Sequence, residues 1–396
     1  MANSDHLMKT YSPLDVTFER GEGAYLWDSN GEKYLDAVSG IAVCNLGHSH
    51  PAVASTISEQ STRLLHTSNL YNIANQQKLA DRLCELSGMD RVFFSNSGAE
   101  ANEAAIKIAR LYGHKRGIKK PSIIVMDNSF HGRTMATLSA TGNRKVQAGF
   151  EPLVQGFIRV PYDDIDAVKS IAKNDRSVVA VLVEPVQGEG GVNIPDTDYL
   201  KQLRTICDQH DWLLMLDEIQ TGMGRTGQWF AFQHSDIMPD VMTLAKALGN
   251  GVPIGACLAA GKASDVLQPG NHGSTFGGNP LMCATASTVI ETISNEKLVE
   301  NAQAMGQYML DGFRNRLAGN TTVRDIRALG LMIGIELNED CGDLVGKALQ
   351  NQLLINVTAG KVIRLLPPLI IDEVQADTII DTVCELIDDR SQKAAA

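Results

Sequence analysis

Short apolar segments alternate with helical patterns through the middle of the chain. Residues 91–95 form one such segment, and alanines and isoleucines follow it at helical spacing between 101 and 109. Further apolar segments cover residues 122–126, 178–183, 213–216, 240–245 and 255–260. They are apolar throughout rather than at every second position, which is typical of strands buried on both faces. The pattern predicts an α/β fold with a mostly parallel buried sheet between helices.

The pattern changes after residue 280, where a separate small α+β domain is predicted. Its expected elements are helices at 281–294, 298–317, 343–351 and 373–388, and strands at 331–336 and 362–366. Two strand signals near the N-terminus, at 25–27 and 33–36, flank the turn at 29–31. We expect three parts: an N-terminal segment at 1–50 that packs with the small domain, a large domain at 51–280 and the small domain at 281–396.

Composition and charge narrow the classes of function. The chain has 396 residues, 44% of them hydrophobic, and its 46 acidic and 35 basic side chains give a net charge of −11. An acidic protein is poorly suited to non-specific binding of nucleic acid or an anionic membrane, so neither is expected as a partner. The first ten residues lack the apolar core of an export signal. Seven scattered cysteines without a CxxC pair argue against a disulfide framework or a zinc site and favour a cytoplasmic location.

Two charged residues follow predicted strands at the edge where ligands bind in such sheets. Asp217 ends the segment LLMLD, and Lys246 follows the apolar segment at 240–245. Taken alone, each has an ordinary structural explanation, as an acidic loop residue or a surface lysine whose stem is buried. Together they suggest a pyridoxal phosphate site, in which the lysine binds the aldehyde and the aspartate keeps the ring nitrogen protonated.

Two more segments at this edge contain residues suited to a phosphorylated ring. Ser97, Gly98 and Ala99 lie between a strand and a helix, where backbone N–H groups favour an anion. Phe130 follows another strand and has a side chain that can stack on a planar ring, and Arg133 can pair with a substrate carboxylate. We interpret the intervening His131 as structural.

Two other motifs are weak indications. Residues 222–227 match GxGxxG, but no helical pattern begins there, so a dinucleotide site is not expected. His48 and His50 have no third ligand in the pattern, and no metal is expected.

Motifs of one family occur in order along nearly the whole chain. They occupy residues 40–51, 93–110, 130–134, 184–192, 216–227, 244–256, 272–281 and 362–369, and include FHGRT, EPVQGEGGV and LDEIQTGMGRTG. The chain therefore resembles the class III (subgroup II) pyridoxal-phosphate-dependent aminotransferases of fold type I. The resemblance implies a large cofactor-binding domain, a smaller α+β domain, and a homodimer with shared active sites.

The resemblance also implies roles for individual residues. Lys246 would bind the cofactor covalently and move the proton, Asp217 would pair with the ring nitrogen, and Gln220 with the phenolic oxygen. Thr275, beside Ser274, would reach the site of the neighbouring subunit. The implied cofactor contacts are Ser97, Gly98, Ala99, Phe130, Asp217, Glu218, Ile219, Gln220, Lys246 and Thr275. Many relatives carry threonine at the position of Ala99, so one phosphate donor is absent here.

The implied substrates are an acylated ornithine as amino donor and 2-oxoglutarate, which is converted to glutamate. Arg133 would bind the distal carboxylate and Arg364 the α-carboxylate of glutamate, with Ser274 as a further substrate contact. Glu189 would pair with Arg364 while the ω-amino donor is bound, and Glu184 would have a supporting role. Succinylornithine, free ornithine and 4-aminobutyrate remain alternative donors, and a non-catalytic binding protein with the same fold remains an alternative of another class.

Overall fold

A computed structural model describes residues 6–395 of the chain. The prediction that the chain start carries no export signal rests partly on residues 1–5, which lie outside this range. The strands are β1 (Phe18–Glu22), β2 (Tyr25–Asp28), β3 (Lys33–Asp36), β4 (Arg91–Ser95), β5 (Ser122–Met126), β6 (Phe157–Val160), β7 (Val178–Val183), β8 (Leu213–Asp217), β9 (Val241–Leu244), β10 (Gly255–Ala259), β11 (Val323–Leu329), β12 (Met332–Leu337), β13 (Leu353–Leu354), β14 (Asn356–Thr358) and β15 (Val362–Leu365).

The helical elements include one short turn, α1 (Ser39–Ala42), whose backbone is left-handed. The others are α2 (Pro51–Arg63), α3 (Ala74–Ser87), α4 (Gly98–Lys115), α5 (Met135–Ala140), α6 (Arg144–Gln147), α7 (Ile165–Asn174), α8 (Tyr199–His210), α9 (Pro280–Asn295), α10 (Leu298–Arg316), α11 (Asp343–Gln350) and α12 (Glu373–Ala395). Among the described residues, none of these helices combines the length and apolar character needed to cross a lipid bilayer.

A seven-stranded sheet forms the centre of the molecule, in the order β4-β10-β9-β8-β7-β5-β6. The neighbours from β9 to β6 pair in parallel, while β10 runs antiparallel to both β9 and β4. All residues of β7, β8, β9 and β10 are buried, as the continuous apolar segments predict.

The two smaller sheets connect distant parts of the chain. One has the order β1-β2-β3-β13, so that the N-terminal strands are joined by a short strand from the last fifty residues. The other consists of β11, β12, β15 and β14. The boundaries at residues 50 and 280 stay a prediction, because no feature of the sheets defines them.

The central sheet brings the predicted charged residues to one edge. Asp217 is the last residue of β8 and lies opposite Thr243 of the neighbouring parallel strand β9. Lys246 follows two residues after the end of β9. Helix α4 begins soon after β4, and Ser97 caps its first turn by accepting a hydrogen bond from the N–H of Glu100. The ends of several strands therefore converge on one place, where the candidate site is found.

Arg225 joins the loop after β8 to two other parts of the structure. Its side chain is fully buried. It donates hydrogen bonds to the carbonyl oxygens of Leu331 and Pro367 and to the side-chain oxygen of Asn45. Burial lowers the pKa of its guanidinium to about 9. The loop is thus tied to the N-terminal segment and to the C-terminal third of the chain.

Replacing this side chain tests the connection. We expect Arg225→Leu to lower the free energy of unfolding by about 2–4 kcal/mol, because it leaves three buried acceptors without donors. Urea unfolding followed by circular dichroism measures the change. Arg324→Leu, which removes an ion pair of an exposed arginine with Glu336, is the control and should change stability by less than about 0.5 kcal/mol. Equal stability of the Arg225 variant and the wild type would contradict this view of the loop.

Candidate active site

A cavity of about 450 Å³ lies at the carboxyl edge of the central sheet. Most of the predicted site residues line it, although they come from five separate segments of the sequence. These residues are Ser97, Gly98, Ala99, Phe130, Arg133, Glu184, Glu189, Asp217, Ile219, Gln220 and Lys246. Much of the remaining wall is formed by Val43, His131 and residues 251–254.

Asp217 is buried and held by several hydrogen-bond donors. The amide of Asn102 donates to its Oδ2 over 2.7 Å, and the backbone N–H of Ile219 donates to its Oδ1 over 3.1 Å. The ring Nδ1 of His131 lies 2.8 Å from Oδ2. Asn102 is itself oriented by the hydroxyl of Thr243, which donates to its side-chain oxygen. The carboxylate is therefore fixed in place at the cavity, where it can pair with a cationic ring nitrogen.

Lys246 lies at the same edge, in the left-handed backbone region with φ of 47°. Desolvation lowers the pKa of its amine to about 8, and the positive charge of Arg364 acts in the same direction. At neutral to mildly alkaline pH a substantial fraction of the amine is unprotonated. Such an amine can attack an aldehyde and can also accept a proton.

The first turn of α4 faces the cavity and is suited to a phosphate. Ser97, Gly98 and Ala99 all line the wall at this helix N-terminus, where backbone N–H groups favour an anion. A Cβ at Gly98 would lie 2.7 Å from the side chain of Ile219, so the absence of a side chain there permits the close approach of the two segments.

Glu189, which lines another part of the cavity, forms an ion pair with Arg364. Arg364 is 1% exposed, and its Nη1 lies 2.6 Å from Glu189 Oε1, whose side chain is 37% exposed. The same nitrogen is 3.4 Å from the side-chain oxygen of Gln220, and Nη2 donates to Asn356 over 2.7 Å. The buried cation is thus neutralised by a more exposed carboxylate that a ligand's carboxylate can replace.

Arg133, in contrast, is exposed at the cavity, and its guanidinium carbon lies 5.6 Å from the ring centroid of Phe130. The hydroxyl of Ser274 lies 3.3 Å from the side-chain nitrogen of Asn96, while Thr275 is exposed to solvent.

Glu218 is placed differently from its neighbours in the predicted contact set. Its carboxylate accepts hydrogen bonds from the hydroxyl of Thr221 and from the backbone N–H groups of Ala231 and Phe232. Burial raises its pKa to about 7. Its side chain therefore stabilises the loop after β8 and is absent from the cavity wall, unlike those of Asp217 and Gln220.

Sequence reasoning missed the contacts of two polar residues, His131 and Asn102, with Asp217, and it left the supporting role of Glu184 unspecified. His131, interpreted there as structural, contacts Asp217 directly. Asn102 was not singled out, although a polar residue among the buried alanines of a helix is an available signal. Glu184 accepts the N–H of Phe130 over 3.0 Å and so orients the loop that bears this ring. Burial raises the pKa of Glu184 to about 7.

Comparisons with known proteins agree with this geometry. The family model of the class-III aminotransferases matches residues 7–387. The acetylornithine aminotransferase of Nitrosomonas europaea is 60% identical over 96% of this chain and 97% of that protein. The enzyme of the same name from Methanothermobacter thermautotrophicus is 48% identical over 97% and 96%, respectively.

Solved structures show the same architecture. An ornithine aminotransferase from Toxoplasma gondii has a TM-score of 0.95 and 35% identity, covering 98% of this chain and 94% of that one. An acetylornithine aminotransferase from Elizabethkingia anophelis has a TM-score of 0.87 and 36% identity, covering 97% and 96%. The predicted fold class is confirmed by these similarities.

The lowered pKa of Lys246 gives a measurable pH dependence. Because only the neutral amine reacts with an aldehyde, its reductive methylation in cofactor-free protein should increase with pH and reach half its maximum near pH 8. An ordinary lysine amine has a pKa of about 10.4. Peptide mapping after formaldehyde and cyanoborohydride treatment follows each residue, with exposed Lys119 as internal reference. A midpoint for Lys246 at pH 10 or above would contradict the desolvation argument.

Proposed function

This chain belongs to the class III aminotransferase family, and we propose that it transfers the ω-amino group of N2-acetyl-L-ornithine to 2-oxoglutarate, with pyridoxal 5′-phosphate as cofactor. The products are N-acetyl-L-glutamate 5-semialdehyde and L-glutamate. The observation that carries the proposal is the ion pair of Arg364 with Glu189, which lines the same cavity as Lys246 and Asp217. The similarity to acetylornithine aminotransferases at 46–60% identity supports the choice of donor.

The residues of the cavity fit this cofactor. The N-terminus of α4 at Ser97, Gly98 and Ala99 would hold the phosphate. Phe130, which lines the wall, would pack against the ring, and Gln220 would bind its phenolic oxygen. Ile219 would pack on the opposite wall. When bound, the cofactor supplies a conjugated electron sink for the carbon that bears the amine.

Two side chains handle the protons. The carboxylate of Asp217, oriented by Asn102 and His131, would hold a proton on the ring nitrogen. Lys246 Nζ has a pKa near 8, so it can both take up the proton of the donor's amine-bearing carbon and release it again near neutral pH. Both substrates use one cavity in alternation, which is the logic of a ping-pong cycle.

The two arginines distinguish the substrates by their charges. Glutamate carries two carboxylates, and the acylated ornithine carries one, far from its reacting amine. Arg133, exposed at the cavity, would bind the distal carboxylate of either. Arg364 would bind the α-carboxylate of glutamate once Glu189 moves aside. While Glu189 neutralises Arg364, the wall is uncharged overall and accepts the methylene end of the ω-amino donor.

We also propose a cytoplasmic homodimer with shared sites. Thr275 is exposed in the single chain, and Ser274 lies beside it. A residue that contacts the site of a neighbouring subunit has to be exposed on its own subunit. In the dimer Thr275 would contribute a phosphate contact and Ser274 a substrate contact.

A panel of amino donors tests the function. With 2-oxoglutarate as acceptor, we expect kcat/KM for acetylornithine to exceed the values for succinylornithine, ornithine and 4-aminobutyrate, and Lys246→Ala to lower it at least about 10³-fold because the proton carrier is removed. The purified wild type should show a visible absorbance band that shifts when glutamate is added. A higher value for another donor would reassign the substrate. A bound cofactor whose band does not shift with any donor would indicate the non-catalytic alternative.

A second test addresses the charge pair. In Glu189→Ala the cation of Arg364 stays unneutralised, so the variant should favour glutamate over the ω-amino donor by about tenfold or more in the ratio of kcat/KM values. Glu189→Gln keeps the size and removes the charge, and it should change the ratio in the same direction. Donor preference equal to that of the wild type in both variants would refute the role of the pair.

A further inference from the structure

The backbone of the turn α1 is left-handed over four consecutive residues. The φ angles are 51° for Ser39, 64° for Gly40, 65° for Ile41 and 59° for Ala42. For a residue with a side chain this conformation costs roughly 1–2 kcal/mol, and a β-branched residue such as Ile41 adopts it rarely. Such strain persists only where the surrounding structure holds it, and it is concentrated at functional sites.

The start of the turn is held by a buried carboxylate. Asp36 Oδ1 accepts the backbone N–H groups of Val38 and Ser39, each over 2.9 Å. The other oxygen of Asp36 lies 2.8 Å from Nε2 of His48. The hydroxyl of Ser39 donates to the carbonyl oxygen of Leu366 over 2.6 Å. The turn is therefore attached to the chain segment that directly follows β15, the strand of Arg364.

The residues after the turn are attached to the loop of Lys246. The N–H of Leu46 donates to the side-chain oxygen of Asn250 over 2.8 Å, and the side-chain nitrogen of Asn250 donates to the carbonyl of Gly47. The side chain of Asn45 binds Met223 and Arg225 in the loop after β8. The strained turn thus has fixed attachments on both sides of the cavity.

Val43 directly follows the left-handed residues and lines the cavity wall. Its backbone returns to φ −96°, and its N–H donates to the carbonyl oxygen of Ser39 over 2.8 Å, which closes the turn. Ala42 and Ile41 pack with Val186 and Val192, which flank Glu189 in the sequence. The strained turn is therefore followed directly by an apolar side chain in the wall of the cavity that Glu189 also lines.

We propose that Val43 is a specificity-determining residue, an apolar wall that the left-handed turn holds against the methylene chain of the ω-amino donor. This inference rests on the proposed function, because it assigns the part of the cavity that selects the donor. Glu189, which lines the same cavity, and its partner Arg364 provide charge there, and an apolar contact is what a methylene chain needs to leave water. Truncation of Val43 should therefore weaken the donor half-reaction more than the glutamate half-reaction.

The experiment compares the two half-reactions in Val43→Ala and Val43→Thr. The first removes apolar volume, and the second keeps the volume but adds a hydroxyl. Each should lower the ratio of kcat/KM for acetylornithine to that for glutamate by about five- to tenfold. Gly40→Ala adds a side chain at φ 64° and so strains the turn that positions Val43, and it should lower the same ratio without changing the Val43 side chain.

Val252→Ala is the matched control. Val252 also lines the cavity, but it belongs to the loop that leads to Gly255. The backbone of Gly255 packs against Ser97, at the end of the cavity predicted to bind the phosphate. We expect its ratio to remain within twofold of the wild type. All four variants should keep the affinity of the wild type for pyridoxal phosphate, measured by absorbance titration. The two Val43 variants and Val252→Ala should also keep its thermal unfolding temperature, whereas Gly40→Ala should lower that temperature because it adds a side chain in the left-handed region.

The possible results separate this inference from the proposed function. If the wild type prefers another ω-amino donor, the proposed substrate is wrong. The ratio of kcat/KM values is then measured with that donor in place of acetylornithine. If the Val43 variants keep the wild-type ratio, or if Val252→Ala lowers it equally, the role of Val43 is wrong while the proposed function stands. A wild type without any ω-amino donor would overturn both.

Discussion

A single buried carboxylate, that of Asp217, sets the arrangement of the residues around the cavity. It ends a strand whose five residues are all buried, where an ionised group without partners is strongly disfavoured. Its partners Asn102, His131 and Ile219 belong to α4, to the loop after β5 and to the loop after β8. All three partners bind the same carboxylate, so Asp217 connects one helix, two loops and the central sheet. The cavity lies beside this carboxylate.

A helix or strand was easiest to predict from the sequence where one whole face, or the whole element, is buried, because burial then leaves a clear pattern of apolar residues. The strand β7 is apolar throughout and β8 is apolar up to its last residue, Asp217, and their predicted bounds agree with the structure within one residue. The strand β6 and the helix α2 were not predicted, because each buries only one of its residues and leaves a weak pattern. The left-handed turn at Ser39–Ala42 contains a single glycine, so its sequence gives little indication of its conformation.

The site was predictable where a side chain follows a strand, because topology alone brings such residues to one edge. Asp217 and Lys246 are the examples, and both line the cavity. The contact between His131 and Asp217 joins residues 86 positions apart, and that between Arg364 and Glu189 joins residues 175 apart. Local patterns carry no information about such distances, so the first contact was missed and the second was expected only from the resemblance to a family.

The pairing of β3 with β13 has a consequence for the order in which the protein is made. Leu35 pairs with Leu353, so the N-terminal sheet must wait for a strand that leaves the ribosome 318 residues later (353 − 35). The nascent chain contains Lys246 and Asp217 well before Arg364 is synthesised. The amine that reacts with aldehydes is thus present on the growing polypeptide before the cation that pairs with Glu189, and the complete pocket forms only after residue 364 has been made.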